Sequence, residues 1–182
     1  MGGIQAASLL AKQGCDILIH VNSPTAPEIP AYGRIKGFED LCEEKHLNHR
    51  VIYKVMGNTY EKMKKSAQEI LDELDNLYPN QKKGLFISSD THANVFLNLL
   101  MRKYGKLPDD YLIIGFDDSP ISTEAVIPIS TIGQQIDKIA YEAVSLLVEQ
   151  MDERKKRKPR SLKEPVHKVV TPILLRRETT EK

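Results

Sequence analysis

Two adjacent carboxylates, Asp117 and Asp118, directly follow the apolar run YLIIGF. Paired carboxylates serve either acid–base catalysis or the binding of hydroxyl-bearing ligands. Neighbouring side chains of an extended segment point to opposite sides, so we do not expect this pair to act on one substrate atom. Ligand binding is therefore the favoured interpretation. A small α/β enzyme that uses Asp90 or Asp117 remains an alternative.

Further polar side chains follow the neighbouring predicted strands. Ser89 and Asp90 come after GLFIS, and Arg34 begins a helix beyond the loop that follows DILIHV. The carboxyl ends of parallel strands meet at one edge of a sheet, where ligands bind. An arginine and two carboxylates at that edge form a set of donors and acceptors suited to polyol hydroxyls.

Each of these residues also has a purely structural interpretation. Asp90 is suited to capping the helix over 91–103, a role that the carboxylate performs by accepting backbone N–H groups. Asp118 is suited to starting a turn with Ser119 and Pro120. Arg34 is suited to a solvated helix face. The convergence of these residues at one edge favours binding.

No catalytic or metal-binding motif is present in the chain. It lacks a GxSxG nucleophile elbow, a Walker loop, a GxGxxG fingerprint and a metal-ligand helix. The histidines are scattered, and we expect core or surface positions for them; they are His20, His46, His49, His92 and His167. Cys15 and Cys42 are expected to be reduced thiols. We therefore expect no metal, no cofactor and no enzymatic activity.

The composition fits a folded, soluble protein of 182 residues with a net charge of +1. This balance argues against disorder and against a basic nucleic-acid coat. The basic run RKKRK at 154–158 is flanked by acidic residues and is expected to be a solvated loop. We find no signal peptide and no apolar run of the about 18 residues that a membrane span needs. A cytoplasmic location is the expectation.

The elements that position the polar residues alternate along the chain. Helical spacing over 3–13, 31–46, 59–77 and 93–104 alternates with the apolar runs CDILIHV, RVIYKV, GLFIS and YLIIGF. Strands that are apolar throughout predict a parallel sheet covered on both faces, a doubly wound α/β fold. Beyond these, STIG predicts a short strand, 134–151 a helix, 152–165 a charged loop, and Pro172 marks a final edge strand.

These pieces, in this order, closely resemble the ligand-sensing domain of the LacI/GalR family of bacterial repressors. The resemblance rests on YGRIKGFEDLC, GLFISSD, RKYGKLPDDYLIIGFDDSPIS, VIPISTIGQQIDKIAYEAVSLL and VTPILLRRETT. It implies a type I periplasmic-binding-protein-like fold, in which two α/β lobes close on a small effector, usually a sugar or a nucleobase. A helix-turn-helix headpiece in such repressors binds operator DNA.

The resemblance also implies how the chain is divided. Residues 1–132 and 166–180 would form the C-terminal lobe, and residues 133–165 would be a helix and charged loop of the N-terminal lobe. We expect a fragment of a repressor that lacks the DNA-binding headpiece, so that operator DNA would be contacted only through that missing part. A periplasmic-type sugar-binding protein has the same fold and remains an alternative.

Carried onto matching positions, the resemblance assigns effector contacts. Arg34 would donate to effector hydroxyls and Asp117 would accept from them. Ser89 and Asp90 stand where the family often has Asn-Asp, and Gln134 falls at a crossover between lobes, from which it would reach the cleft. The expected effector class is a sugar.

The resemblance further implies a homodimer formed through this lobe. The implied interface residues lie on one helix and on a later segment; they are Asn94, Leu97, Val126 and Ile127. Core packing explains some of these apolar residues equally well, because one face of a helix must cover the sheet.

Overall fold

The computed structural model describes residues 1–155 and 165–181. Its strands are β1 (Ile17–Asn22), β2 (His49–Tyr53), β3 (Lys83–Ile87), β4 (Tyr111–Asp117), β5 (Ser130–Gly133) and β6 (Ile173–Leu175). Its helices are α1 (Gly2–Lys12), α2 (Pro30–Glu44), α3 (Tyr60–Leu77), α4 (Asp90–Tyr104), α5 (Ile121–Glu124) and α6 (Ile136–Lys155), followed by a 3-10 helix at Glu178–Thr180. The charged loop predicted at 152–165 lies largely outside the described residues.

The strands form one six-stranded sheet in the order β2-β1-β3-β4-β5-β6. Strands β1 to β5 pair in parallel, as predicted. The last strand was expected at an edge, and β6 does lie at one, but it runs antiparallel to β5. The order reverses between β1 and β3, which is the switch point where ligands of doubly wound folds bind.

Helices cover both faces of the sheet, which confirms the predicted fold class. Ile19 and Val21 of β1 pack in the core under α3 and α4. The alternate residue Leu18 packs in the core under α1 and α2. Because successive side chains of a strand point to opposite faces, a strand buried on both sides must be apolar throughout.

Helices α1 and α2 approach each other closely at Gly3. A Cβ atom at Gly3 would lie 2.0 Å from the backbone oxygen of Arg34 and 2.8 Å from the backbone nitrogen of Phe38. Only a glycine permits this approach, since the neighbouring atoms belong to the rigid backbone of α2. The contact fixes the turn of α2 that carries Arg34.

The N-terminus of α4 differs from its prediction. The helix begins at Asp90 and not near Ala93, because the Ser89 hydroxyl caps it by accepting a hydrogen bond from the His92 amide at 3.3 Å. The interpretation of Asp90 as the cap is therefore wrong. Gly105 ends the helix in a left-handed conformation.

Leu97 was expected at a dimer interface, and that expectation is wrong. Its side chain is fully buried in the core that α3 and α4 form on the sheet. A residue packed inside its own chain is not available to a second copy. Val126 is exposed, and Asn94 and Ile127 are half-buried, so these three remain predictions for the interface.

The C-terminal segment packs against strands β4 and β5 of the sheet. Thr179 and Thr180 are fully buried. The Thr179 hydroxyl donates to the Ile113 carbonyl at 2.7 Å and accepts from the Ser130 amide at 2.9 Å. Gln13 of α1 donates to the Thr180 carbonyl at 2.9 Å. The last turn thus joins β4, β5 and α1.

Helix α6 contrasts with the other long helices, because none of its residues is buried. Its apolar residues are exposed, among them Ile136, Val144, Leu147 and Met151. Its assignment with residues 133–165 to a separate lobe stays a prediction. Within the part of the chain that the structure describes, no helix is long and apolar enough to cross a membrane.

Candidate functional site

A pocket of about 200 Å³ lies at the carboxyl ends of the strands. Its lining comes from the start of α2 and from the ends of β3, β4 and β5; the residues are Ala31, Arg34, Ser88, Phe116, Asp117 and Gln134. We call it the strand-end pocket. Three predicted binding residues, Arg34, Asp117 and Gln134, therefore line one pocket.

Arg34 is held at the pocket by two neighbours. Its guanidinium carbon lies 4.0 Å from the centre of the Phe116 ring, and Nη1 donates to the Ser88 carbonyl at 3.3 Å. Burial lowers the pKa of Arg34, and the nearby Asp117 carboxylate opposes this effect. An arginine stays charged despite such a shift. Arg34 therefore brings a partly desolvated cation with a fork of N–H donors to the pocket.

Asp117 is paired with Gln134 and has an unusual backbone. Gln134 Nε2 donates to Asp117 Oδ1 at 2.6 Å. The φ angles of Asp117 and Asp118 are 108° and 57°, so both residues lie in the region that favours glycine. Such conformations cost about 1–3 kcal/mol each and persist where surrounding contacts hold them, often at binding sites.

Asp118 has a different partner from Asp117. Its Oδ1 accepts from Arg177 Nη2 at 2.7 Å. We expected the two carboxylates to point to opposite sides, because successive side chains of an extended strand alternate. The backbone of Asp117 and Asp118 is left-handed and not extended, so this reason does not apply. Both carboxylates border a second pocket of about 460 Å³, beside Asp137 and Lys138 at the start of α6.

Ser89 and Asp90 do not line the strand-end pocket. Ser89 caps α4, and Asp90 is 1% exposed. The Asp90 carboxylate accepts from Thr131 Oγ1 at 2.6 Å, and from the Ser119 amide at 2.8 Å and hydroxyl at 3.1 Å. Burial raises the pKa of Asp90, and these hydrogen bonds oppose the rise. Asp90 therefore lies beneath the turn that follows β4.

Gly115 makes room for the Asp90 carboxylate. A Cβ atom at Gly115 would lie 2.1 Å from Asp90 Oδ1. This close approach allows a buried carboxylate to reach both Thr131 on β5 and Ser119 after β4.

Three residues of the pocket were missing from the predicted site, namely Ala31, Ser88 and Phe116. Phe116 directly precedes Asp117, and strict alternation would place the two side chains on opposite faces of the sheet. The left-handed φ of Asp117 breaks that alternation and lets both line the pocket. Phe116 stacks on the Arg34 guanidinium but is far from it along the chain, so the sequence carried no local signal of this contact.

The other candidate groups are not arranged for chemistry. Among the described residues, no group of three or more His, Cys, Asp and Glu side chains is placed to hold a metal ion. Burial raises the pKa of both Cys15 and Cys42 to about 11, so the thiols are protonated at neutral pH. His20 is a core residue that stacks on Phe86 at 4.4 Å.

The comparison with protein families matches residues 7–172 to the periplasmic binding protein-like domain. The chain belongs to this family. The ribose operon repressor of Halalkalibacterium halodurans is 27% identical over 153 residues, which are 84% of this chain and 44% of that protein. The chain thus spans less than half the length of this relative.

Solved structures agree with the family assignment. A probable maltose operon transcriptional repressor from Staphylococcus aureus superposes with a TM-score of 0.78 at 17% identity, over 99% of this chain and 59% of that one, and so supports the fold alone. A periplasmic binding protein/LacI transcriptional regulator from Alkaliphilus metalliredigens, complexed with D-xylulofuranose, has a TM-score of 0.74 at 26% identity, over 100% and 63%. The resemblance to LacI/GalR repressors and the type I periplasmic-binding-protein-like fold are confirmed.

Proposed function

We propose that this chain is the sugar-sensing part of a LacI-type transcriptional repressor and that it binds its effector without breaking a bond. The observation that supports this most directly is the placement of Arg34, Asp117 and Gln134 around one pocket at the switch point of the sheet. The relative from Halalkalibacterium halodurans is a repressor of a ribose operon, and a related regulator was solved with a bound sugar.

The chemistry of the pocket suits a polyhydroxy ligand. Each sugar hydroxyl both donates and accepts a hydrogen bond. The Asp117 carboxylate accepts only, and the Arg34 guanidinium donates only, so together they match both roles of neighbouring hydroxyls. Gln134 already pairs with Asp117 and would adjust to the ligand, because an amide both donates and accepts.

The pocket has the size of part of a site. Its volume of about 200 Å³ is below the roughly 300–1,000 Å³ usual for small-molecule sites. We infer that a second lobe supplies the rest, as in a closing two-lobe sensor. A sugar that bridges the lobes would favour one arrangement and change DNA affinity by coupling, through a headpiece in a homodimeric cytoplasmic repressor.

An enzyme is the second candidate, and the geometry favours it less. Asp117 pairs with Gln134, and Asp90 is buried beneath the turn that follows β4 and does not line the strand-end pocket. The relatives from Halalkalibacterium halodurans and Escherichia coli are transcriptional repressors. Turnover of a candidate substrate that disappears in Asp117→Asn would favour the enzyme.

The test is a titration with D-ribose, D-xylulose and maltose, followed by NMR amide shifts and by calorimetry. We expect shifts at Arg34 and Asp117, with a Kd of about 1 mM or weaker because the pocket is smaller than a usual small-molecule site. Arg34→Ala and Asp117→Asn should remove the response. Arg50→Ala, which breaks a pair with Glu73 at 2.5 Å on β2, is the matched control and should leave it unchanged.

Two outcomes would contradict these expectations. Equal binding by the parent, Arg34→Ala and Asp117→Asn would show that the strand-end pocket is not the site. Micromolar binding by the parent would show that the pocket is already complete, which would contradict the inference of a second lobe.

A further inference from the structure

The turn at residues 117–119 is held by side chains from distant parts of the chain. Gln134 binds the Asp117 carboxylate, and Arg177 binds the Asp118 carboxylate. Asp90, from the start of α4, accepts from both the amide and the hydroxyl of Ser119. Every residue of the turn is therefore fixed by a partner far away in sequence.

The turn needs these partners because its backbone is not the one its residues prefer. Asp117 and Asp118 both have positive φ angles, although neither is a glycine. Without outside contacts such residues return to the common regions of φ and ψ. That change would rotate the Asp117 side chain, and with it the carboxylate that lines the strand-end pocket.

The Arg177 side chain is itself fixed by hydrogen bonds, in a position from which it binds Asp118. Its side chain is 18% exposed, and Nη1 donates to the Ile129 carbonyl at 3.0 Å and to Ser122 Oγ at 3.2 Å. These bonds fix the guanidinium, so that Nη2 is presented to Asp118 Oδ1 at 2.7 Å. On the other side Asp118 lies against Gly133, where an added Cβ would be 3.1 Å from the Asp118 Cβ.

We propose that Arg177 and Asp90 are positioning residues of the effector site, which hold the 117–119 turn so that Asp117 faces Arg34. Neither residue lines the strand-end pocket. The proposal rests on the proposed function, because it is Asp117 that would bind the sugar. It gives the C-terminal segment a part in effector affinity without any contact to the effector.

The experiment compares the parent chain with Arg177→Ala and Arg177→Lys, with Arg50→Ala as control. The hydrogen-exchange rate of the Ser119 amide, relative to that of the core amide of Ile19, measures how firmly the 117–119 turn is fixed. The chemical shift of the Asp117 carboxyl carbon reports its bond to Gln134. We expect Ser119 to exchange at least about tenfold faster in Arg177→Ala, because a charge-assisted hydrogen bond is lost.

Arg177→Lys should slow the Ser119 exchange only part of the way back to the parent rate. Lysine keeps the charge but lacks the planar guanidinium that donates to Asp118 and to Ile129 at the same time. The Asp117 carboxyl shift should move in Arg177→Ala and stay at the parent value in Arg50→Ala. Asp118→Ala removes the same contact from the half-exposed side and serves if Arg177→Ala does not fold.

Unchanged Ser119 exchange and an unchanged Asp117 shift in folded Arg177→Ala or Asp118→Ala would overturn the proposal. So would a faster exchange that is uniform across the core, because it would show a loss of stability only. If the parent binds sugar and Arg177→Ala binds it equally well, the positioning role is also overturned. A parent that binds no sugar would contradict the proposed function alone, since the exchange and shift measurements need no ligand.

Discussion

At the scale of single residues, His20 is a buried group whose charge state affects folding. Its side chain is fully buried, and Nδ1 lies 2.8 Å from the Phe86 carbonyl, to which it donates. Asn22 Oδ1 accepts from the Ser23 amide, which turns Asn22 Nδ2 toward His20 Nε2 at 3.5 Å. The neutral ring satisfies both contacts. Burial lowers the pKa of His20 from 6.5 to about 4.

This lowered pKa predicts a loss of stability in acid. Between pH 6.5 and about 4 the unfolded chain binds a proton that the folded chain does not. The neutral His20 side chain therefore gives its full contribution to the free energy of unfolding above pH 6.5. About 3 kcal/mol of that free energy is lost as the pH falls to about 4. We expect His20→Gln to flatten this part of the profile, measured by urea unfolding between pH 7 and pH 4.

The exposed His167 provides the control for that profile. His167→Gln should leave the pH dependence of the parent chain unchanged. If His20→Gln and the parent chain lose the same free energy between pH 7 and pH 4, the loss comes from other groups.

Residue types at strand ends were sufficient to predict Arg34 and Asp117 as neighbours, because a parallel sheet brings those ends together. Gln134 was added by the family resemblance. Residue types were not sufficient for Asp90. Its role depends on whether the carboxylate points up into the cleft or down into the sheet, and the missing side chain of Gly115 decides this. That kind of three-dimensional fit leaves no mark in the local sequence pattern.

At the scale of elements, the contact between α1 and α2 provides a sharp test. In Gly3→Ala the new Cβ would meet the backbone of Arg34 at 2.0 Å, so the helices must separate. We expect a loss of more than about 3 kcal/mol, because overpacking against backbone is poorly relieved. Thermal or urea unfolding followed by circular dichroism measures it.

Gly33, on α2, is the matched control. A Cβ there meets none of the described residues within 4 Å. Gly33→Ala should therefore stabilise the chain by about 0.5–1 kcal/mol, since alanine favours a helix over glycine. Similar effects of the two substitutions would contradict the close packing of α1 on α2.

The helices and the central strands followed from periodicity, because burial on both faces imposes an apolar run. The direction of β6 did not follow, since Ile173–Leu175 is too short to show a pattern. The face of α4 that holds Leu97 was also not predictable, because spacing does not tell whether an apolar face packs on the sheet or on another chain.

At the scale of the whole molecule, a substitution on the exposed α6 tests whether the chain is stable without contacts from that helix. Leu147 is 57% exposed. Leu147→Lys should change the free energy of unfolding by less than about 0.5 kcal/mol. The buried Leu71 is the contrast, and Leu71→Ala should cost about 2–5 kcal/mol. A large loss in Leu147→Lys would show that α6 packs on the rest of the chain.

The expected homodimer is tested at Val126, which is 64% exposed. We expect sedimentation equilibrium to show dimers that Val126→Asp converts to monomers, because a buried unpaired charge opposes association. Val55, at 68% exposure on the opposite edge of the sheet, is the control, and Val55→Asp should remain dimeric. A parent chain that is monomeric at high concentration contradicts the dimer.

The buried C-terminal turn also affects how the protein is made. The Ile113 carbonyl and the Ser130 amide have Thr179 as their partner, and that residue is added long after β4 and β5. Until it leaves the ribosomal exit tunnel, these polar groups stay open to water and the sheet is incomplete. Nascent chains should therefore stay sensitive to protease, and be held by chaperones, until residue 180 has left the exit tunnel.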